Sequence, residues 1–198
     1  MENEQPKSMK GHFLISESNM MDPNFKQTVV FMVEHNDEGA FGLVVNRKSE
    51  LTVADIIPEL ANDLGVSRPV YVGGPVQQEL VSALHSALPD GPSTTAMEIV
   101  PGVFFEPGFR QLQKFFEPEI WESIPLEDRP SIHTFLGYSG WAPGQLEEEM
   151  RSGAWVTLKG KPSIVFHPNP EQGWRDALRA KGGIYKIFAD SNQDPSLN

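Results

Sequence analysis

The chain has no cysteine, which excludes disulfides, thiolate metal ligands and cysteine nucleophiles together. It also has no apolar run approaching the ~20 residues that a membrane-spanning helix needs. The opening residues, Met-Glu-Asn-Glu-Gln-Pro-Lys-Ser, are polar, unlike a secretory leader. The expectation is a soluble cytoplasmic protein with no membrane association. Basic charge is scarce: 16 Lys and Arg stand against 27 Asp and Glu, a net charge of -11. The shortage is uneven, with 9 against 23 in residues 1–150 and 7 against 4 in residues 151–198. Nucleic-acid backbones are held by several cations on one face, so direct nucleic-acid binding is not expected. The basic stretch of Lys159, Lys161, Arg175, Arg179, Lys181 and Lys186 reads as surface charge balancing the fold, with an acidic partner as the alternative. The five histidines are scattered without H-x-H or H-E-x-x-H spacing, and neither a metal nor a cofactor is expected. Repeats, heptads and low-complexity segments are absent too.

What is present suits one globular domain. The chain has 198 residues, 39% of them apolar, with 12 Phe and 4 Trp, enough for a substantial core. Seventeen Gly and 17 Pro promise many turns and short elements. Residues 1–9 and 191–198 read as disordered ends around a domain at 10–190. Gly11 to Ile15 reads as a strand, and Asp22-Pro23 punctuates a turn. Gln27 to Val33 is β-branched and apolar almost throughout, as in a strand covered on both faces. It should pair with Phe41 to Asn46 in a hairpin with a longish loop at His35 to Gly39. Thr52 can cap a short helix, with Asp55 three residues on. Strands are expected at Val70 to Val72, Leu80 to His85, Val103 to Glu106, Ile132 to Leu136, Ala154 to Leu158 and Ser163 to Phe166. Phe109 to Phe116 reads as a short helix, Ile124 to Pro130 as a loop, and Glu171 to Lys181 as a helix ended by Gly182-Gly183. Strands mixed with helices imply an α/β (α+β) domain on a mixed sheet.

The most informative stretch is Phe135 to Trp155. It reads as a strand stopping at Gly137, a turn rich in glycine and aromatics, and a helix launched by Pro143. Leu146 and Met150 share one helix face, and Glu147, Glu148 and Glu149 spread around the solvated side. Unpaired N–H groups of such a turn could floor a pocket. Glu34 and His35 are adjacent strand residues and point to opposite faces, so they form no dyad unless the strand bends. One of them could face a pocket beside Asp22 and Asn46; the plainer reading ties down the hairpin turn. Ser139 lacks the second glycine of G-x-S-x-G, so it reads as a small residue in a tight turn, not a nucleophile. Gly73-Gly74-Pro75 is neither a dinucleotide fingerprint nor a P-loop; close backbone packing explains it better. Trp141, Trp155 and Trp174 read as core residues.

Several blocks together are similar to the YqgE/AlgH family of bacterial proteins. They are Gly11-His12-Phe13-Leu14-Ile15, Met21-Asp22-Pro23-Asn24-Phe25, Val29-Val30, Glu34-His35 and Gly39 to Asn46. Val72 to Val76, Leu84-His85, Gly137 to Trp141, Gly144 to Glu147, Ala154-Trp155 and Trp174 to Ala177 continue the match in family order. The resemblance implies a mixed, partly bifurcated sheet in a pseudo-barrel with flanking helices. It implies no reaction, cofactor or DNA-binding motif. One branch is named for a link to alginate regulation, and transcriptional regulator is a common label. The pocket candidates are Asp22, Glu34, His35, Asn46, Gly73, Gly74, Tyr138, Trp141, Gln145 and Glu147, drawn from the Glu34–Asn46 hairpin, the Gly137–Gln145 turn and their neighbours. The leading expectation is a regulatory protein of unknown function binding a small molecule or peptide. The alternatives are a transcriptional regulator acting through a protein partner, or an enzyme using Glu34, His35 or Asp22 as acid or base.

Overall fold

The computed structural model describes residues 8–91 and 93–191. In chain order the elements are β1 His12–Ser16, β2 Val29–Asn36, β3 Gly39–Val44, β4 Lys48–Thr52, α1 Val53–Ile56, α2 Asp63–Ser67, β5 Pro69–Val72, β6 Val76–His85, β7 Met97–Val100 and β8 Val103–Glu106. There follow α3 Pro118–Ser123, β9 Ile132–Trp141, α4 Gln145–Arg151, β10 Trp155–Lys159, α5 Pro162–Val165, α6 Gly173–Lys181 and α7 Ile184–Ser191. The strands form one mixed sheet in the order β10-β1-β2-β3-β9-β6-β8-β7, with β4 and β5 branching off β9.

The branch lies on β9. One edge of β9 pairs with β6. The other edge pairs in parallel with β5 at Thr134–Leu136, then antiparallel with β3 at Ser139–Trp141. Gly73 sits at the fork. Its N–H donates to Leu136 O at 2.8 Å, while its carbonyl accepts from Val44 N at 2.9 Å and from the Ser139 hydroxyl at 3.1 Å. A Cβ on Gly73 would lie 2.3 Å from Gly137 O, and one on Gly74 would lie 2.2 Å from Tyr138 C. Close approach of backbones is therefore what these two glycines provide.

Period-two alternation sorts the strands between faces. On β2, Val29, Phe31 and Val33 join one core, and Val30 and Met32 join another. Phe41 on β3 and Phe105 on β8 are three strands apart in the sheet, about 14 Å if it were flat, yet their ring centroids lie 5.7 Å apart. The sheet is therefore curled into a half-barrel with this face inside. The inner core is completed by Ile164 and Val165 of α5, Trp174, Ala177 and Leu178 of α6, and Ala189 of α7. Outside, Val53, Leu60, Leu112, Phe115 and Phe116 cover one half, and Leu146 of α4 with Trp141 and Trp155 covers the other. The mixed α+β fold and bifurcated sheet match the expectation, as do the Thr52–Asp55 cap and the Gly182 end of α6.

Several elements differ from the sequence reading. The strand does not stop at Gly137: β9 runs to Trp141, with Gly137 at φ +68° where one edge changes partner from β5 to β3. Pro143 does not open α4; Gly144, at φ 78°, is the N-cap. Ser163 to Phe166 is not a strand. Pro162 starts α5 there as its first residue. The β2–β3 hairpin is tight, with Asn36 paired to Gly39. Phe109 to Phe116 is helical only as a 3-10 turn at Gln113–Phe116, and Pro118 then starts α3. Strands β4 and β7 and helix α7 were not foreseen. Of the expected disordered ends, residues 1–7 and 192–198 lie outside the described residues, whereas Met9 is 1% exposed.

Candidate functional site

A cleft of about 700 Å³ opens at one end of the half-barrel, on its inner face. Its walls come from the β2–β3 hairpin (Glu34, Asn36, Glu38, Phe41, Leu43), from β6 (Val76, Gln77, Leu80, Ser82), from Phe105 and Pro107, and from Tyr138, Gly140 and Trp141 of β9. The strand pairing builds it directly. Phe41 stands opposite Gly140 in the β3–β9 ladder, so the missing side chain leaves the Phe41 ring uncovered. That ring meets Tyr138 at 6.0 Å and Phe105 at 5.7 Å, both edge-on. On the far wall, pairing of β6 with β9 jumps from Val76–Tyr138 to Val81–Leu136. Residues 77–80 thus bulge away from β9, with Gln77 at φ 45° and Leu80 exposed.

The hairpin supplies the polar rim. A register shift between Met32 and Glu34 brings Glu34 opposite Phe41, onto the face that holds the cleft. Asn36 donates to Glu34 Oε1 at 2.9 Å and accepts the Glu38 N–H at 2.8 Å, which fixes the tip of the loop.

Of the ten candidates, the cleft brings together Glu34, Tyr138 and Trp141. His35 points to the opposite face, as strand alternation requires. Its Nδ1 accepts the Met9 N–H at 2.9 Å and its Nε2 lies 2.9 Å from Glu147 Oε1, so Nε2 carries the proton and donates it. Glu147 accepts this bond; its own backbone N–H, and then His35, hold its carboxyl below the usual range. Gln145 closes the start of α4, accepting the Ala142 N–H at 3.1 Å. Asn46, just past β3, ties down the entry to β2, taking the Val29 N–H at 2.7 Å and giving its amide to Gln27 O at 2.9 Å. Asp22 turns the loop at Asn24 and faces Arg47, whose guanidinium burial disfavours and Asp22 favours. Gly73 packs at the fork, and Gly74 borders only a recess of about 30 Å³. Asp22, Glu34 and His35 therefore share no site.

Glu149 was read as part of a solvated face and is not. Its Oε2 accepts from both Trp141 Nε1 and Trp155 Nε1 at 2.8 Å, and its Oε1 from Gln145 Nε2 at 2.9 Å. The sequence reading took in Glu38, Phe41 and Leu43 only as part of the Glu34–Asn46 hairpin, without singling them out, and it missed Leu80 and Phe105 as cleft residues. The available signal for Phe41 and Leu43 was their i, i+2 spacing on a strand already expected in that hairpin. Among the described residues, no group of three or more His, Asp or Glu is placed to hold a metal. No helix there is long and apolar enough to cross a membrane.

The AlgH-like family model matches residues 13–186. Curated relatives include a UPF0301 protein of Chlorobium phaeobacteroides, 36% identical over all of both chains. A UPF0301 protein of Streptomyces coelicolor is 35% identical over 96% of each. Among solved structures, the AlgH protein from Pseudomonas aeruginosa superposes with a TM-score of 0.70 at 31% identity, covering 98% of this chain and 100% of that one. A protein from Corynebacterium diphtheriae shares the fold, with a TM-score of 0.75 at 23% identity over 96% of this chain and 94% of that one. None of these names states a reaction or a ligand. With its curled, bifurcated sheet and a family match over most of its length, the chain belongs to the AlgH-like family.

Proposed function

We propose that this protein is a cytosolic binding protein whose cleft takes a small organic molecule or the side chains of a short peptide. One observation carries the reading: a cleft of about 700 Å³ with three aromatic walls and a polar rim is of the size and lining that organic ligands use. The scattering of Asp22, Glu34 and His35 favours binding over acid–base catalysis, which needs its groups within reach of one reacting atom. The net charge of -11 favours a protein partner over DNA as the route of any regulation.

A thermal-shift screen against metabolites, nucleotides and short peptides tests the reading, with Gly140→Val as the control. A side chain at residue 140 points into the cleft toward Tyr138, whose ring carbon would lie 3.1 Å from the new Cβ, and valine suits a strand. A ligand at about a hundred times its dissociation constant adds ~2.7 kcal/mol, roughly 5–10 °C for a domain of this size. The shift should vanish in Gly140→Val while its ligand-free melting stays cooperative. Hits that persist in that variant would place the ligand elsewhere and sink the reading.

A further inference from the structure

The cleft's electrostatics are one-sided. Glu34 and Glu38 stand at its rim, and none of the lining residues is Lys, Arg or His. Neither carboxylate forms an ion pair among the described residues. Glu34 is oriented by Asn36 at 2.9 Å, an amide that adds no positive charge. Behind the carboxylates lies Phe41, with Tyr138 and Phe105 each edge-on to it. Aromatic faces attract cations through their quadrupole, and carboxylates attract them through their charge. The remaining lining, Leu43, Val76 and Leu80, gains nothing from a hydrated metal ion but gains from an apolar body.

We infer that the cleft takes an organic cation, an ammonium or guanidinium carried on an apolar or aromatic body. This rests on the reading of the cleft as a binding site and adds the ligand's chemistry to it. The charged head sits between Glu34 and Glu38, and the body lies against Phe41, Tyr138 and Phe105. Phosphorylated and carboxylated ligands are repelled at the rim, so nucleotides fail in the screen. A free amine and the Lys or Arg side chain of an extended peptide share this chemistry.

The test is an amide NMR titration of the full chain with three probes on one scaffold: benzyltrimethylammonium, benzyl alcohol and phenylacetate. The cation should shift the amides of Phe41, Val76 and Tyr138 and bind about tenfold tighter than the alcohol. Phenylacetate should bind weakest. The cation's advantage should shrink with added salt and disappear in a Glu34→Gln, Glu38→Gln double variant, which keeps the Asn36 hydrogen bond to residue 34. Equal binding of alcohol and cation in the cleft would overturn the cation assignment and leave the cleft reading intact. The same assignment falls if the cation gives no cleft shifts at millimolar concentration; the Gly140→Val comparison then decides the cleft reading separately. A capped tetrapeptide with Phe beside Lys separates the two sources. Tighter binding than benzyltrimethylammonium assigns the cleft to a protein segment, and weaker binding assigns it to a free amine.

Discussion

His133 is a largely buried residue whose setting gives a measurable pH response. It stacks on Tyr71 at 4.6 Å and meets Phe166 edge-on at 5.3 Å, and its Nδ1 has no partner within the protein. Burial, and then the charges of Lys48 and Arg68, push its pKa down to about 4. The same burial pushes the Tyr71 phenol up to about 12. Because the unfolded histidine titrates near 6.5, the unfolded state binds more protons between these values. This contribution is fully present above pH 6.5 and is lost as pH falls toward 4, at about 1.4 kcal/mol per unit. Urea unfolding across this range should show that slope, and His133→Phe, which keeps the stack on Tyr71, should flatten it. A variant with an unchanged slope would rule His133 out as its source. None of this was legible in the sequence, where the five histidines differ only in neighbours along the chain. Burial depends on which strand covers which, and His133 is covered by Tyr71 from β5 and Phe166 from the end of α5. Ser139 is the opposite case. Its sequence neighbours already marked it as a small residue, though in a tight turn and not within β9, and its hydroxyl donates to Gly73 O.

At the level of elements, α4 is held down by Glu149. One carboxylate pairs two indoles that are each 6% exposed, so its loss leaves two nearly buried donors without partners. Glu149→Ala should therefore cost roughly 2 kcal/mol or more in urea unfolding. Glu148→Ala, at an exposed position of the same helix, should stay within about 0.5 kcal/mol. Equal costs would mean that Glu149 is a surface residue after all. Three consecutive glutamates gave no sign of which one turns inward, because the partners lie on β9 and β10. The hairpin of β2 and β3 was legible because its apolar runs and its turn residues are local. Helix α5 was not: the apolar run of Ile164, Val165 and Phe166 suits either structure, and Pro162 decides it by starting a helical turn. Likewise, the glycines of β9 resemble a turn by composition, yet they serve a strand that changes partners midway.

For the whole molecule, β9 is the element on which everything else depends. It takes partners on both edges along much of its length and contributes to all three cores through Phe135, Ile132 and Trp141. Native-state hydrogen exchange should therefore find the slowest amides in β9 and in β2, whose residues from Val29 to Val33 are all 0% exposed. The edge strand β7 and the bulge at residues 77–80 should exchange faster. Slow exchange in β7 matching that of β9 would argue against this ranking. The fold class could be read from the sequence because mixed strand and helix signals and a chain of family blocks agree. The cleft was only partly legible: one wall, from Glu34 to Phe41, was anticipated, but the opposite wall requires the curl that brings Phe105 within 5.7 Å of Phe41.

Trp141 borders the cleft through β9, while its indole lies on the other face of the sheet, its N–H on Glu149 and its ring 6.1 Å from both Phe25 and Trp155. Indole emission shifts with the electric field across the ring, so the protein carries its own optical probe of occupancy. A cation bound in the cleft, across one layer of sheet from that indole, should move the emission maximum without any label. Trp141→Phe, which gives up that indole and retains an aromatic ring, should silence the response and leave the light from Trp121, Trp155 and Trp174 as background.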